Sequence, residues 1–127
     1  MRVMALDFGA ARTGVAVSDA TGTLARPVCV VERAASGAGL DRLVSLVREH
    51  GAELVVVGLP LTLRGERGEQ ARATDDFVAA LRPRLTIPVE TYDERFTTTL
   101  AQQTRGRAPE DAVAAAHLLQ GWLERAR

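Results

Sequence analysis

The chain has 127 residues, of which 46% are hydrophobic, and this length suits one domain with a buried core, spanning residues 1–127. Its 16 basic residues are balanced by 16 acidic residues, so composition alone does not indicate a polyanionic partner. The single cysteine, Cys29, excludes a disulfide framework or a cysteine-based zinc site within one chain. No apolar run reaches the ~18 residues of a membrane span, so we expect a soluble, cytoplasmic protein.

The first third of the chain predicts three strands. The segment "RVMALDFG" (2–9) is apolar at successive positions, which indicates a strand buried on both faces. A second strand is predicted over "TGVAVSD" (13–19) and a third over "TLARPVCVVE" (23–32). Because the connections between these strands are short, we expect an antiparallel meander.

The rest of the chain alternates helical and strand patterns. Apolar residues recur at helical spacing from Leu40 to Val47, and Gly51 is a natural C-terminal stop. The continuous apolar run "ELVVVGLPL" is typical of a central parallel strand. A helix over 66–82, a fifth strand "TIPVETYDE" (86–94), a short helix after "RFTTT" and a last helix "PEDAVAAAHLLQGWLER" (109–125) follow. This order predicts an α/β protein with a mixed five-stranded sheet covered by helices.

Asp7 is an unexpected residue in the first strand, because its neighbours are apolar and a glycine follows at position 9. A lone buried carboxylate is strongly destabilising unless it is paired, hydrogen-bonded or bound to a metal ion. The sequence therefore predicts a partner or a cation beside Asp7. The alternative is that Asp7 is an ordinary residue at the end of a strand.

Three further acidic residues lie at the predicted ends of elements. Asp93 and Glu94 close the fifth strand, and Asp111 opens the last helix. At about 100° per residue, Asp111 shares the apolar stripe of Ala115 and Leu118 that packs on the sheet. The alternatives are that Asp93 and Glu94 are loop acids, and that Asp111 only stabilises the helix N-terminus through the helix dipole.

In a sheet of strand order 3-2-1-4-5, these acids would meet at the carboxyl ends of the parallel strands, where open α/β sheets bind ligands. Asp7 and Glu94 would lie two strands apart and reach inwards over the glycine of the strand between them, Gly58. Carboxylates without cysteine ligands favour Mg²⁺ or Mn²⁺, and two such ions about 4 Å apart would perform phosphoryl chemistry. Gly9 and Gly14 would leave room for a phosphate backbone beside Asp7.

Four segments, in this order, make the chain similar to the YqgF/RuvX family: "LDFGAARTGVAVSD", "VVVGLPL", "DERFTT" and "DAVAAAHLLQGWL". Together they extend over nearly the whole chain. That family comprises RuvC-like proteins of the RNase H fold, described as Holliday-junction resolvases and pre-16S rRNA nucleases. The resemblance implies an RNase H-like (RuvC-like) sheet of order 3-2-1-4-5 with helices on both faces. It also implies divalent-metal-dependent hydrolysis of phosphodiester bonds in structured nucleic acid.

The resemblance extends to single residues. It implies that Asp7, Glu94 and Asp111 are the catalytic acids and metal ligands, and it alone favours Glu94 over Asp93. Nearby arginines and threonines are candidates for phosphate contacts, made by guanidinium groups or by backbone amides. For Arg95 the alternative is an ion pair that orients the neighbouring acids, and for the threonines it is helix capping. The candidate nucleic-acid-binding residues are Arg12, Arg95, Thr97, Thr98, Arg105 and Arg107.

Two other functions stay open on the sequence alone. The segment "DFGAARTGVAVSD" also resembles the first phosphate loop of actin-like ATPases, which predicts a nucleotide-binding domain. The balanced charge is compatible with a non-catalytic module that binds ribosomal RNA or a protein partner. We favour the nuclease, and the resemblance implies pre-16S rRNA as substrate, with branched DNA second. We expect a monomer or a homodimer that does not act at a membrane.

Overall fold

A computed structural model describes residues 1–62, 64–96 and 110–126 of the chain. In these residues the predicted order of strands and helices is confirmed. The elements are β1 Val3–Asp7, β2 Arg12–Ser18, β3 Ala25–Glu32, α1 Gly37–His50, β4 Leu54–Leu59, α2 Glu69–Leu81, β5 Val89–Asp93 and α3 Glu110–Ala126. Short 3₁₀ turns at Arg82–Arg84 and Glu94–Phe96 follow α2 and β5.

The sheet has the order β3-β2-β1-β4-β5, as predicted. β2 runs antiparallel to β1 and β3, whereas β4 runs parallel to β1 and β5. Every residue of β4 is buried, which is why its sequence is continuously apolar. The carboxyl ends of β1, β4 and β5 therefore lie together at one edge of the sheet, next to the first residues of β2.

Helices cover both faces of the sheet, again as predicted. Met4 and Leu6 pack in one hydrophobic cluster with residues of α1 and α2, whereas Val3 and Ala5 pack in a second cluster with α3. Since successive side chains of a strand point to opposite faces, Asp7 belongs to the same face as Ala5, towards α3. None of the helices in the three described ranges is long and apolar enough to cross a membrane.

Several element ends differ from the predicted ones by a few residues. α2 begins at Glu69 instead of residue 66, because a turn precedes it in which Thr62 N donates to Glu66 O at 3.0 Å. β5 begins at Val89 instead of residue 86, since Pro88 lacks the N–H group that a strand ladder needs. α1 ends as predicted, with Gly51 in the left-handed conformation at a φ of 62°. The short helix predicted after residue 96 lies outside the described residues.

α3 is attached to the sheet near both of its ends. Near its first residue, the backbone of Asp111 lies directly against Gly14 of β2. Near its last turns, the side-chain amide of Gln120 accepts a hydrogen bond from Ala25 N at 3.0 Å and donates one to Thr23 O at 3.1 Å. These contacts fix the start of α3 beside the edge at which β1 and β4 end.

Candidate active site

The strand register brings Asp7 and Glu94 to the same edge and the same face of the sheet. Asp7 ends β1, and because Leu6 pairs with Val57 of β4, the next residue of β4, Gly58, follows alongside Asp7. Gly58 pairs in turn with Tyr92 of β5, and Glu94 follows two residues later. A Cβ atom on Gly58 would lie 2.6 Å from Oε1 of Glu94, so the Glu94 side chain lies over this glycine. The structure therefore has the predicted arrangement, in which Asp7 and Glu94 reach towards each other across Gly58.

The carboxyl groups of Asp7 and Glu94 share a hydrogen bond, in which protonated Glu94 donates to ionised Asp7. Burial, together with this bond and the charges of Asp7 and Asp93, raises the pKa of Glu94 to about 8. Burial also raises the pKa of Asp7; the bond from Glu94 opposes this shift, and the charge of Asp111 adds to it. The pair therefore holds one proton near neutral pH, when its carboxyls would otherwise both be ionised.

Asp111 is the third acid of the site. Its backbone lies on Gly14, the residue that pairs with Asp7 across β1 and β2. The carboxylate of Asp111 is close enough to raise the pKa of Asp7 through its charge. It also forms an ion pair with Arg12, in which Nε lies 3.3 Å from Oδ2. The charge of Asp111 thus acts on Asp7, while the carboxylate of Asp111 is paired with Arg12.

The prediction that Gly9 and Gly14 leave room for a phosphate backbone is wrong. The space beside Gly14 is filled by the backbone of Asp111 and Ala112. A Cβ atom on Gly9 would lie 2.5 Å from the backbone oxygen of Arg12, so its space is filled by the turn itself. Both glycines serve close contacts within the chain, and Gly14 specifically allows α3 to reach the sheet.

An open pocket of about 210 Å³ lies between the sheet edge and α3. Asp7 and Glu94 line it on one side, and Ala114 and Leu118 line it on the other. Neither Ala114 nor Leu118 was a candidate site residue from the sequence. Ala114 lies about one helical turn after Asp111 and Leu118 about two, so the helical spacing from Asp111 could have indicated both. The pocket thus combines two carboxyl groups with an apolar wall.

Asp93 and Arg95 flank Glu94 and bond to each other. Nε of Arg95 donates to Oδ1 and Oδ2 of Asp93 at 3.0 and 2.9 Å, and Nη2 donates to Oδ2 at 2.6 Å. The backbone N–H of Arg95 also donates to Oδ1, at 2.9 Å. These bonds lower the pKa of Asp93 and keep it ionised. Of the two neighbouring acids, Asp93 is bonded to Arg95 and Glu94 faces Asp7.

The residues present fit a hard divalent cation. Asp7 and Glu94 place carboxyl oxygens together, which are the ligands that Mg²⁺ and Mn²⁺ prefer, and a cation would take the place of the proton that these partly buried groups share. In residues 1–62, 64–96 and 110–126, no group of three or more His, Cys, Asp or Glu side chains is gathered closely enough to hold a metal ion. The structure thus joins two of the predicted acids and leaves the third, Asp111, on Arg12.

The candidate phosphate contacts have different surroundings. Arg12 lies beside the acids, and its side chain is 66% exposed despite the ion pair with Asp111. Arg95 is bonded to Asp93, which agrees with the ion-pair alternative. Thr97, Thr98, Arg105 and Arg107 lie outside the described residues.

Comparison with known sequences identifies relatives over almost the whole chain. A family model described as "RuvX: Holliday junction resolvase" matches residues 1–125. A relative from Chloroflexus aurantiacus is 40% identical over an alignment of 134 positions, which covers 98% of this chain and 88% of the relative. One from a Roseiflexus species is 41% identical over an alignment of 135 positions, which covers 99% of this chain and 96% of the relative. Both bear the name "Putative pre-16S rRNA nuclease".

Comparison with solved structures identifies the fold. Thermus thermophilus RuvC in complex with a Holliday junction substrate superposes with a TM-score of 0.64 and 18% identity, covering 99% of this chain and 96% of that one. Fowlpox virus resolvase, in complex with Holliday junction DNA, gives a TM-score of 0.58 and 10% identity, covering 99% of both chains. At such low identity these likenesses establish the fold alone, and the predicted RuvC-like architecture is confirmed. The family match and the named relatives also confirm the predicted nuclease role: the chain belongs to the RuvX family of Holliday junction resolvases.

Proposed function

We propose that this chain hydrolyses phosphodiester bonds in structured nucleic acid at the edge where β1, β4 and β5 end. Asp7, Glu94 and Asp111 would hold Mg²⁺ or Mn²⁺ there, as two ions. The observation that carries the proposal is the hydrogen-bonded pair of Asp7 and Glu94 in the pocket, with the pKa of Glu94 raised to about 8. Carboxyl pairs with pKa values perturbed by burial and by each other are typical of functional sites.

A bound divalent ion supplies a Lewis acid, which lowers the pKa of a bound water molecule and stabilises the leaving oxygen. The chain's own residues prepare the site for it. Asp7 and Glu94 would offer carboxylate oxygen atoms to the ion once their shared proton had passed to solvent. Asp111 adds a third negative charge beside them, and Arg12 is placed to contact a phosphate group of the substrate.

The names of the relatives support pre-16S rRNA as the first substrate to test. The Holliday junction in the RuvC complex supports branched DNA as the second. Two active sites are needed to cut two strands of a symmetric junction, so junction cleavage would require a homodimer. RNA end maturation has no such requirement, and a monomer is sufficient for it.

The decisive experiment compares cleavage of a labelled pre-16S rRNA fragment, a four-way DNA junction and a linear duplex. Each substrate is incubated with the protein in Mg²⁺, in Mn²⁺ and in EDTA. We expect cleavage of a structured substrate that depends on the divalent ion and is lost in Asp7→Asn. Glu90→Gln is the matched control, since Glu90 is an exposed carboxylate of the same sheet, away from the pocket. Cleavage that persists in Asp7→Asn would show that the activity comes from another source.

A further inference from the structure

Asp93 and Arg95 lie on either side of Glu94 in the sequence and bond to each other. We propose that Arg95 is a positioning residue that sets the direction of the Glu94 carboxyl group. Arg95 acts through Glu94 and does not contact the phosphate groups of the substrate. The inference rests on the proposed function, because it assigns a role within the same site. We call the bonded pair the Asp93–Arg95 clamp.

The clamp restrains the chain on both sides of Glu94. Its side-chain bonds occupy both carboxylate oxygens of Asp93, and its backbone bond closes the chain over Glu94. The Asp93 side chain is only 16% exposed, and that of Arg95 is 35% exposed. Because residues 93 and 95 are tied together, the 3₁₀ turn that begins at Glu94 holds its side chain towards Asp7. Asp93 is thereby the anchor of the clamp and not a metal ligand.

The guanidinium group of Arg95 has a second contact, which a glycine makes. A Cβ atom on Gly65 would lie 3.3 Å from Nη1 of Arg95 and 3.5 Å from Nη2, so this glycine packs on the guanidinium. Gly65 has a φ of +82°, and its N–H donates to Thr62 O at 2.8 Å within the turn that follows β4. This turn follows β4, the strand in which Gly58 lies against the Glu94 side chain. Arg95 therefore contacts the turn after β4 at Gly65, and bonds to Asp93 at the start of the turn that contains Glu94.

Three roles for Arg95 predict effects of different sign. If Arg95 acted only as a positive charge near the site, its removal would strengthen the binding of a cation. If Arg95 contacted a phosphate group, its removal would weaken nucleic-acid binding and leave the binding of the cation unchanged. If Arg95 positions Glu94, its removal weakens the binding of the cation and leaves nucleic-acid binding unchanged.

The test measures Mn²⁺ binding to the full chain by calorimetry, without nucleic acid. Arg95→Ala should weaken Mn²⁺ binding about 10-fold or more, which is the usual effect of losing a residue that orients a metal ligand. Asp93→Asn should weaken it to the same extent. The double variant should bind no more weakly than either single variant, since both changes break one interaction. If Asp93 were itself a ligand, Asp93→Asn would weaken binding while Arg95→Ala would not, and the inference would be overturned.

Two controls separate positioning from other effects. Arg84→Ala breaks the ion pair of Arg84 with Asp41, which has the same 2.6 Å length but lies away from the pocket, and should leave Mn²⁺ binding unchanged. Binding of a labelled four-way junction in EDTA should be the same for wild type and Arg95→Ala. Weaker junction binding, with the slope of log affinity against log salt reduced by about 1, would show a phosphate contact and overturn the inference.

Further variants keep the proposal testable if Arg95→Ala fails to fold. Arg95→Lys keeps the positive charge but loses the planar fork, so it should weaken Mn²⁺ binding as Arg95→Ala does; wild-type binding would contradict positioning. A crystal structure of either variant without metal should show the Glu94 carboxyl turned away from Asp7. An unmoved Glu94 would overturn the inference whether or not the wild type binds Mn²⁺. A wild type that binds no Mn²⁺ would instead count against the proposed metal site.

Discussion

The backbone carbonyl of Asp111 lies against Gly14, in the space that any side chain at position 14 would occupy. Gly14 pairs with Asp7 across β1 and β2, so this contact fixes the separation between two acids that lie far apart in the sequence. A similar close contact occurs at Gly58, where the side chain of Glu94 fills the space that a Cβ atom would occupy. Two glycines thus make room for acids of the site: Gly58 for the side chain of Glu94, and Gly14 for the backbone of Asp111.

We expect Gly14→Ala to destabilise the protein strongly. The added methyl group meets backbone atoms of α3, which cannot move without shifting the helix, and such overpacking costs about 1–3 kcal/mol or more. The measurement is urea denaturation in EDTA. Gly37→Ala is the control, since a Cβ atom there meets nothing within 4 Å. Similar unfolding free energies for the two variants would contradict this account of Gly14.

Gly58→Ala should affect activity more than stability. Its added Cβ atom meets the Glu94 side chain, at 2.6 Å from Oε1 and 2.9 Å from Cγ, and Cδ2 of Leu118 at 3.0 Å. A side chain can turn aside more readily than a backbone can, but displacing a catalytic group by about 1 Å can lower the rate about 100-fold. The measurements are the cleavage rate at saturating Mn²⁺ and the unfolding free energy. A rate close to that of wild type would show that activity does not depend on the space that Gly58 leaves for the Glu94 side chain.

The metal-free protein should lose stability as the pH rises from about 4.5 to about 8. The pKa of Glu94 is raised from its ordinary value of 4.5 to about 8 in the folded chain. Between these values the folded chain binds more protons than the unfolded chain, so the unfolding free energy falls, by at most about 1.4 kcal/mol per pH unit for one proton. The raised pKa of Asp7 acts in the same direction, whereas the lowered pKa of Asp93 acts below this window.

Urea denaturation in EDTA across this pH range tests that expectation. Glu94→Gln should flatten the pH dependence and make the protein more stable at the upper end of the range. Glu90→Gln removes an exposed carboxylate of β5, the strand that precedes Glu94, and should leave the slope as in wild type. A wild-type stability that rises over the same range would contradict the proton sharing of Asp7 and Glu94.

Arg12→Ala should weaken nucleic-acid binding and change stability little. The Arg12–Asp111 ion pair is exposed, with 66% and 37% of the two side chains accessible, and such pairs contribute about 0–1 kcal/mol. Loss of one phosphate contact should reduce the slope of log affinity against log salt by about 1. Arg26→Ala, at the other end of the sheet and also exposed, is the matched control. Equal salt slopes for both variants would exclude a phosphate contact by Arg12.

The fold and the central acid pair were within reach of sequence reasoning. The continuous apolar runs of β1 and β4 are properties of local sequence, and they indicate which strands are buried on both faces. Once the strand order is set, counting strands places Asp7 and Glu94 on either side of Gly58. The approach of the acids that end β1 and β5 follows from this order, whereas the order itself and the choice of Glu94 over Asp93 rested on the family resemblance.

The parts that were not predictable depend on contacts between distant or competing groups. Sequence gives no sign that Arg12 bonds to Asp111, because the two residues lie near opposite ends of the chain. Nor could it show that α3, and not a ligand, fills the space beside Gly14. The choice between Asp93 and Glu94 was resolved by family resemblance, whereas the structure supplies a physical reason, the bonds of Asp93 to Arg95.

The attachment of α3 at Gly14 and at Gln120 limits how the third acid can respond to substrate. A helix held at one end could swing, but a helix fixed near both ends moves only with the strands to which it is bonded. Any rearrangement that brings Asp111 from Arg12 to a cation must therefore consist of rotations about its own side-chain bonds. Structures of the protein with and without bound nucleic acid should superpose along the backbone of α3 and the β2–β3 hairpin, and differ there in the rotamers of Asp111 and its partner Arg12.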